Sequence, residues 1–174
     1  MHSTLRSLAV AAFLVAAVTT APREAAAQQQ TAAPYDLAQL SPDVREAVET
    51  ARRAAQLALQ AAARSQGRAR GTIQFTGVGG DSYMGECAEC DADVPQRHGY
   101  GFIFWNDGEY YAGEHRQGEN GGVKTGYGVY VFVDGRRYEG RYGDDMQNGY
   151  GVYWDPQGGI IAAGYWENGR VTRP

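Results

Sequence analysis

Along the chain the spacing of apolar residues changes twice. From Leu8 to Val18 they run for 11 residues without interruption. From Leu37 to Ala62 they return at intervals of three and four, at Leu37, Leu40, Val44, Val48, Ala51, Ala55, Ala58 and Ala62. From Gly71 onward they alternate with small or polar residues in short stretches broken by glycine. These patterns predict, in order, a short apolar core, an amphipathic helix and a series of β-strands. The fold class they predict is mainly β, an antiparallel sheet preceded by one amphipathic α-helix.

The first apolar run has Arg6 before it and Ala25-Ala26-Ala27 after it, the layout of a secretory signal peptide over residues 1–27. At 11 residues the run falls short of the ~20 that a bilayer-spanning helix needs. The chain is therefore expected to be exported to the periplasm or the exterior of a bacterial cell. Residues 28–35 read as a linker, and residues 36–70 as the helix. Ser41-Pro42 is a start signal, with serine as N-cap and proline in the first turn, and Gly67 and Gly71 follow the stripe. The stripe changes from Leu/Val to Ala halfway, so its second half approaches a partner closely and gains little burial energy. Two uses stay open for it: docking on the rest of the chain, or weak self-association with a second chain.

Residues 71–174 repeat themselves. Tyr83-x-Gly85, Tyr111-x-Gly113 and Tyr138-x-Gly140 are each followed by a Gly-Tyr-Gly, at Gly99–Gly101, Gly126–Gly128 and Gly149–Gly151. An apolar run and a turn come next, ending at Gly108, Gly135 and Gly158. The units span about 83–108, 111–135 and 138–158, with a partial fourth at 162–169. Apolar alternation bounded by Asp-Gly turns predicts one β-hairpin per unit. A lone hairpin is marginal in water, so stacking of neighbours is expected to bury the faces. The strand glycines are expected to provide flat places on which tyrosine and tryptophan rings lie.

This pattern resembles the MORN (membrane occupation and recognition nexus) repeat family, whose unit runs Tyr-x-Gly, turn, Gly-x-Gly, apolar strand, Gly. The likeness covers about Tyr83–Gly169 and is tightest over Tyr138–Gly158; the tyrosine is missing at Ala162. The resemblance implies an elongated, twisted, single-layer sheet. It also implies a scaffolding or binding role in protein association, with a link to membrane lipids.

The units differ in one place. The spacing from the glycine of Tyr-x-Gly to the Gly-Tyr-Gly is 14, 13 and 9 residues, whereas the return spacing is 14, 14 and 15. Only the turn inside each hairpin is lengthened, and both long turns are expected on one edge of the sheet, where repeat proteins commonly carry a functional surface. The first long turn holds Cys87 and Cys90. Three readings stand side by side: a Cys87–Cys90 disulfide, suited to an exported protein; a Cys₂His₂ metal site formed with His98 and His115, with Asp91 or Asp93 as substitutes; and a plain surface loop.

Charge narrows the partner class. The whole chain has a formal net charge of −4, unlike the basic balance of a nucleic-acid binder. From Gly71 on there are 15 acidic residues against 8 basic, so anionic lipid headgroups would repel the repeats. The residues show no nucleophile elbow, P-loop or His-Glu-x-x-His, and call for no cofactor. The expectation is a non-catalytic adaptor or structural module that binds an unidentified protein of the cell envelope. The alternative is lipid or carbohydrate binding by the aromatic face, with Trp105, Trp154 and Trp166 as stacking platforms.

Overall fold

A computed structural model describes residues 37–67, 69–77, 80–93, 95–118 and 121–174. The expected signal peptide and linker lie outside the described residues. A 3₁₀ turn at Leu37–Gln39 leads into helix α1, Pro42–Gln66. Nine strands follow: β1 Thr72–Thr76, β2 Ser82–Ala88, β3 Gln96–Phe104, β4 Tyr110–Arg116, β5 Val123–Val131, β6 Arg137–Gly143, β7 Met146–Trp154, β8 Ile160–Glu167 and β9 Arg170–Arg173. They form one open antiparallel sheet in which each strand pairs with its neighbours in sequence. Among the described residues no helix is long and apolar enough to cross a membrane.

The predicted hairpins are β2–β3, β4–β5 and β6–β7, and β8–β9 completes the partial fourth unit. Strand β1 was not foreseen. It is joined to β2 through a turn in which Gly77 donates to Asp81 O at 2.7 Å and Gly80 donates to Gly77 O at 2.9 Å. The same two bonds recur at Trp105–Glu109, Phe132–Arg136 and Asp155–Gly159. The array therefore begins with half a unit, whose sequence lacks the Gly-Tyr-Gly signature. In the later turns an aspartate carboxylate accepts from the backbone two residues on, for example Asp107 from Glu109 N at 3.0 Å and Asp134 from Arg136 N at 3.0 Å, which fixes the turn locally.

Helix α1 lies across the strands of its own chain, from β8 at its start to β1 at its end. A 25-residue helix is about 37 Å long, and eight strands at about 4.8 Å spacing cover about 34 Å, so the lengths match. At the N-terminal end Leu40, Val44 and Val48 form one cluster with Val152 and Trp154. Each such side chain contributes roughly 1.5–3 kcal/mol by leaving water. At the other end Arg64 pairs with Glu86 at 2.8 Å. The apolar stripe is thus buried on the chain's own sheet.

Two details of the helix differ from expectation. Ser41 occupies the N-cap position without a side-chain cap bond. Arg45 secures the entry instead, donating to the carbonyls of Leu37, Ala38 and Leu40 at 3.1–3.2 Å. Along the second half, Ala54, Ala58, Ala61, Ala62 and Ser65 are buried, whereas Ala55 is only half-buried. A straight helix drifts ~20° per heptad against a 3.5-residue stripe, which turns Ala55 toward the flank.

Candidate functional site

Strand pairing sorts the side chains onto two faces. Met84, Phe102, Ala112, Val129, Glu139, Val152 and Ala163 share register and lie under α1. Tyr83, Ile103, Tyr111, Tyr130, Tyr138 and Tyr153 lie on the opposite face. There the glycine pairs Gly85/Gly101, Gly113/Gly128 and Gly140/Gly151 meet across neighbouring strands. The tyrosine of each unit lies flat on such a pair.

In the second unit the two glycines of Gly-Tyr-Gly serve different ends. A Cβ on Gly128 would come within 2.5–2.6 Å of Cε2, Oη and Cζ of Tyr111, so the ring needs the space. Gly126 has φ +55, and a Cβ there would meet the carboxylate of Glu114, which accepts from Tyr127 N at 2.8 Å. The first unit repeats this bond with Glu86 and Tyr100 N, also at 2.8 Å. Each ring ends in a matching bond: Tyr83, Tyr111 and Tyr138 donate their hydroxyls to the carbonyls of Glu86, Glu114 and Arg141 at 2.5, 3.1 and 3.2 Å.

These rings continue into a spine along the face. Ring centroids are 5.4 Å apart for Tyr83–His115, 5.2 Å for His115–Tyr111, 5.1 Å for Tyr111–Tyr142, 5.3 Å for Tyr142–Tyr138 and 5.2 Å for Tyr138–Trp166. All five contacts are edge-to-face, each contributing about 0.5–1.5 kcal/mol beyond its burial. Burial pushes the hydroxyls of Tyr111 and Tyr142 well above their ordinary pKa. The spine residue stands four after the unit tyrosine at His115 and Tyr142, and four after Ala162, which replaces that tyrosine, at Trp166. The aromatics act mainly as structure: Trp154 and Trp166 are buried, and Trp105 alone of the three tryptophans is half-exposed.

The strand bounds leave segments of seven, six and two residues inside the first three hairpins, at 89–95, 117–122 and 144–145. Consecutive antiparallel pairing puts all three on one edge, as expected. The two-residue turn has Asp144 and Asp145 at φ 51 and 68, the left-handed pair that suits a tight hairpin. The second and third turns are each tied to a strand of the unit before. Arg97 Nε and Nη2 donate to the carbonyls of Gly121 and Gly122 at 3.0 and 2.6 Å, joining the second long turn to the first unit. Arg116 pairs with Asp144, and Lys124 with Asp145 at 3.3 Å, joining the third turn to the second unit. Lys124 is held further by the rings of Trp105 and Tyr130, 5.3 and 5.6 Å from its Nζ. The result is a continuous edge with exposed carboxylates at Glu89, Asp91, Asp93, Asp144 and Asp145. Arg97 carried no signal in the repeat pattern, because it lies just beyond the insertion.

The cysteine loop resolves among its three readings. Cys87 and Cys90 are bonded to each other, with Cα atoms 5.4 Å apart. The Cys₂His₂ reading is not realised: among the described residues no group of three or more such side chains comes together. His98 is exposed, whereas His115 is buried between Tyr83 and Tyr111. Cys87 and His115 each stand two residues after the glycine of Tyr-x-Gly and so hold equivalent places in their units. The register shifts that follow that glycine put their extra residues on the partner strands β3 and β5, so β2 and β4 keep their alternation and both side chains stay on the tyrosine face. The set does not converge because Cys87 is bonded to Cys90 and His115 is enclosed by two tyrosine rings. Neither ring nitrogen of His115 has a hydrogen-bond partner among the described residues. Burial, with the charges of Arg97 and Lys124, lowers its pKa to about 3.

No protein-family model matches the chain, and no curated protein matches it.

Proposed function

We propose that the chain is an exported, non-catalytic MORN-type repeat protein that works as a protein-binding adaptor or structural module of the cell envelope. The lengthened-turn edge is its binding surface. The observation that carries this reading is the pair of Arg97 bonds at 3.0 and 2.6 Å, by which the strand that leaves the first inserted turn holds the second. An insertion without a role would have no need of a neighbour to fix it, and a fixed surface loses less entropy on binding than loose loops do. The exposed carboxylates along the edge favour a partner with a basic patch, since charge complementarity steers association and selects among partners.

Lipid and carbohydrate binding have less support. The acidic balance of the repeats, 15 acidic against 8 basic residues, opposes anionic headgroups. Two of the three tryptophans offered as sugar platforms are buried. Liposome flotation separates the readings. The expected result is that the protein stays with the aqueous fraction over phosphatidylglycerol vesicles at moderate salt. Flotation that persists at that salt would contradict the adaptor reading.

A further inference from the structure

Beyond the turn edge, the helix-covered face of the sheet holds a second feature, a cavity of ≈ 310 Å³ beneath the flank of α1. Its walls are largely apolar, with Ala55 and Leu59 from the helix and Phe102 and Val129 from the sheet, and Arg52 and Arg137 stand among the lining residues. It arises where the helical stripe drifts off the sheet: Ala55 offers only a methyl group, and Leu59 remains 48 % exposed instead of filling the space. The volume lies at the lower end of the roughly 300–1,000 Å³ of small-ligand pockets.

The polar end is built from one buried carboxylate and two guanidinium groups. Glu139, 4 % exposed, accepts from Arg52 Nε through Oε2 and from Arg137 Nε through Oε1, both at 2.8 Å. Two cations against one anion leave one net positive charge at the edge of an apolar cavity. Only the Nε atoms are engaged, so the Nη groups of both arginines make no hydrogen bond to a described residue. The groups are also held in place: the ring of Trp154 lies 5.1 Å from Arg137 Cζ and 6.0 Å from Arg52 Cζ. Pre-positioned guanidinium N–H donors beside apolar walls match a carboxylate attached to an aliphatic chain.

We propose that this cleft binds a small amphipathic carboxylate, its chain against Ala55, Phe102 and Val129 and its head on the Nη groups of Arg52 and Arg137. The site is separate from the turn edge, and neither substitution below touches that edge.

The test titrates the purified full chain with decanoate, decanol and phosphatidylglycerol vesicles, followed by calorimetry and by the fluorescence of Trp154 beside the arginines. Decanoate is expected to bind one saturable site, with decanol at least tenfold weaker. Ala55→Leu, which fills the cavity, is expected to weaken decanoate at least tenfold while leaving the melting temperature at or above the parent's. Arg52→Met, a change at a partly exposed side chain that leaves Glu139 paired with Arg137, is expected to weaken it at least fivefold. Absence of saturable decanoate binding would overturn the proposal. So would affinity equal to the parent's in both variants, or vesicle binding without binding of free decanoate.

Discussion

At Gly128 a single methyl group would enter the space of the Tyr111 ring, 2.5–2.6 Å from three of its atoms, and that ring is fully buried. Gly128→Ala is therefore expected to cost about 1–3 kcal/mol by overpacking and displacement of the ring. Gly108 is the control: its φ is +98 but nothing lies within 4 Å of a Cβ, so Gly108→Ala is expected to cost only the ~1–2 kcal/mol of a left-handed backbone. Urea denaturation, with near-ultraviolet circular dichroism reporting ring packing, checks both, and loss of the ring signal should accompany Gly128→Ala alone. His115 provides a pH test. Its folded pKa is lowered to about 3, against ~6.5 in an unfolded chain. The unfolded chain takes up the proton first. The contribution of His115 is therefore complete above about pH 6.5, and it is lost as pH falls from there toward about 3. The slope attributable to it is up to about 1.4 kcal/mol per pH unit. His115→Phe keeps an aromatic ring in the spine and is expected to flatten stability against pH over that window. An unchanged slope in the variant would contradict the buried, neutral imidazole.

Helix and hairpins differ in how far the sequence reveals them. The hairpins are legible because their turns are encoded locally, in Asp-Gly pairs and in the Tyr-x-Gly and Gly-Tyr-Gly spacings, and the observed turn lengths of seven, six and two residues follow from those spacings. Strand β1 is not legible, because the half unit it forms has neither signature, and β9 is a short edge strand with all four residues exposed. The presence of α1 is legible from its stripe, although the helix spans Pro42–Gln66 inside the expected 36–70, and its docking is not legible. What receives the stripe is a face assembled from Val152, Trp154 and residues of other strands, which nothing within the helix specifies. The metal reading of Cys87, Cys90, His98 and His115 failed for a related reason. Counting places Cys87 and His115 on one face, but it does not reveal that Cys87 is bonded to Cys90, that Tyr83 and Tyr111 enclose His115, or that His98 stays exposed. The docking carries its own prediction. Val48 is fully buried against the β7 cluster, so Val48→Ala is expected to cost on the order of 2 kcal/mol. Leu57, 39 % exposed on the outer side, is expected to tolerate alanine within ~0.5 kcal/mol. Equal costs in denaturant titrations of the two variants would show that α1 does not rest on the sheet in this way.

The whole molecule is a row of hairpins in which each strand touches its sequence neighbours, an arrangement whose stability is ordinarily a sum of nearest-neighbour terms. Helix α1 adds contacts from β1 to β8 and so couples units that would otherwise be independent. With one face under the helix and a buried spine on the other, the lengthened turns lie along one edge, the second held to the first unit by Arg97, and exposed carboxylates line it. The account therefore stands or falls on that edge. The measurement is affinity capture from a cell-envelope fraction with the purified protein and with a variant whose segments 89–95 and 117–122 are each replaced by the Asp-Asp turn of the third hairpin. Circular dichroism would first establish that the shortened protein keeps its sheet and helix. The account predicts a partner retained by the parent, released by salt and absent from the shortened variant; the same partner captured equally by both proteins would contradict it.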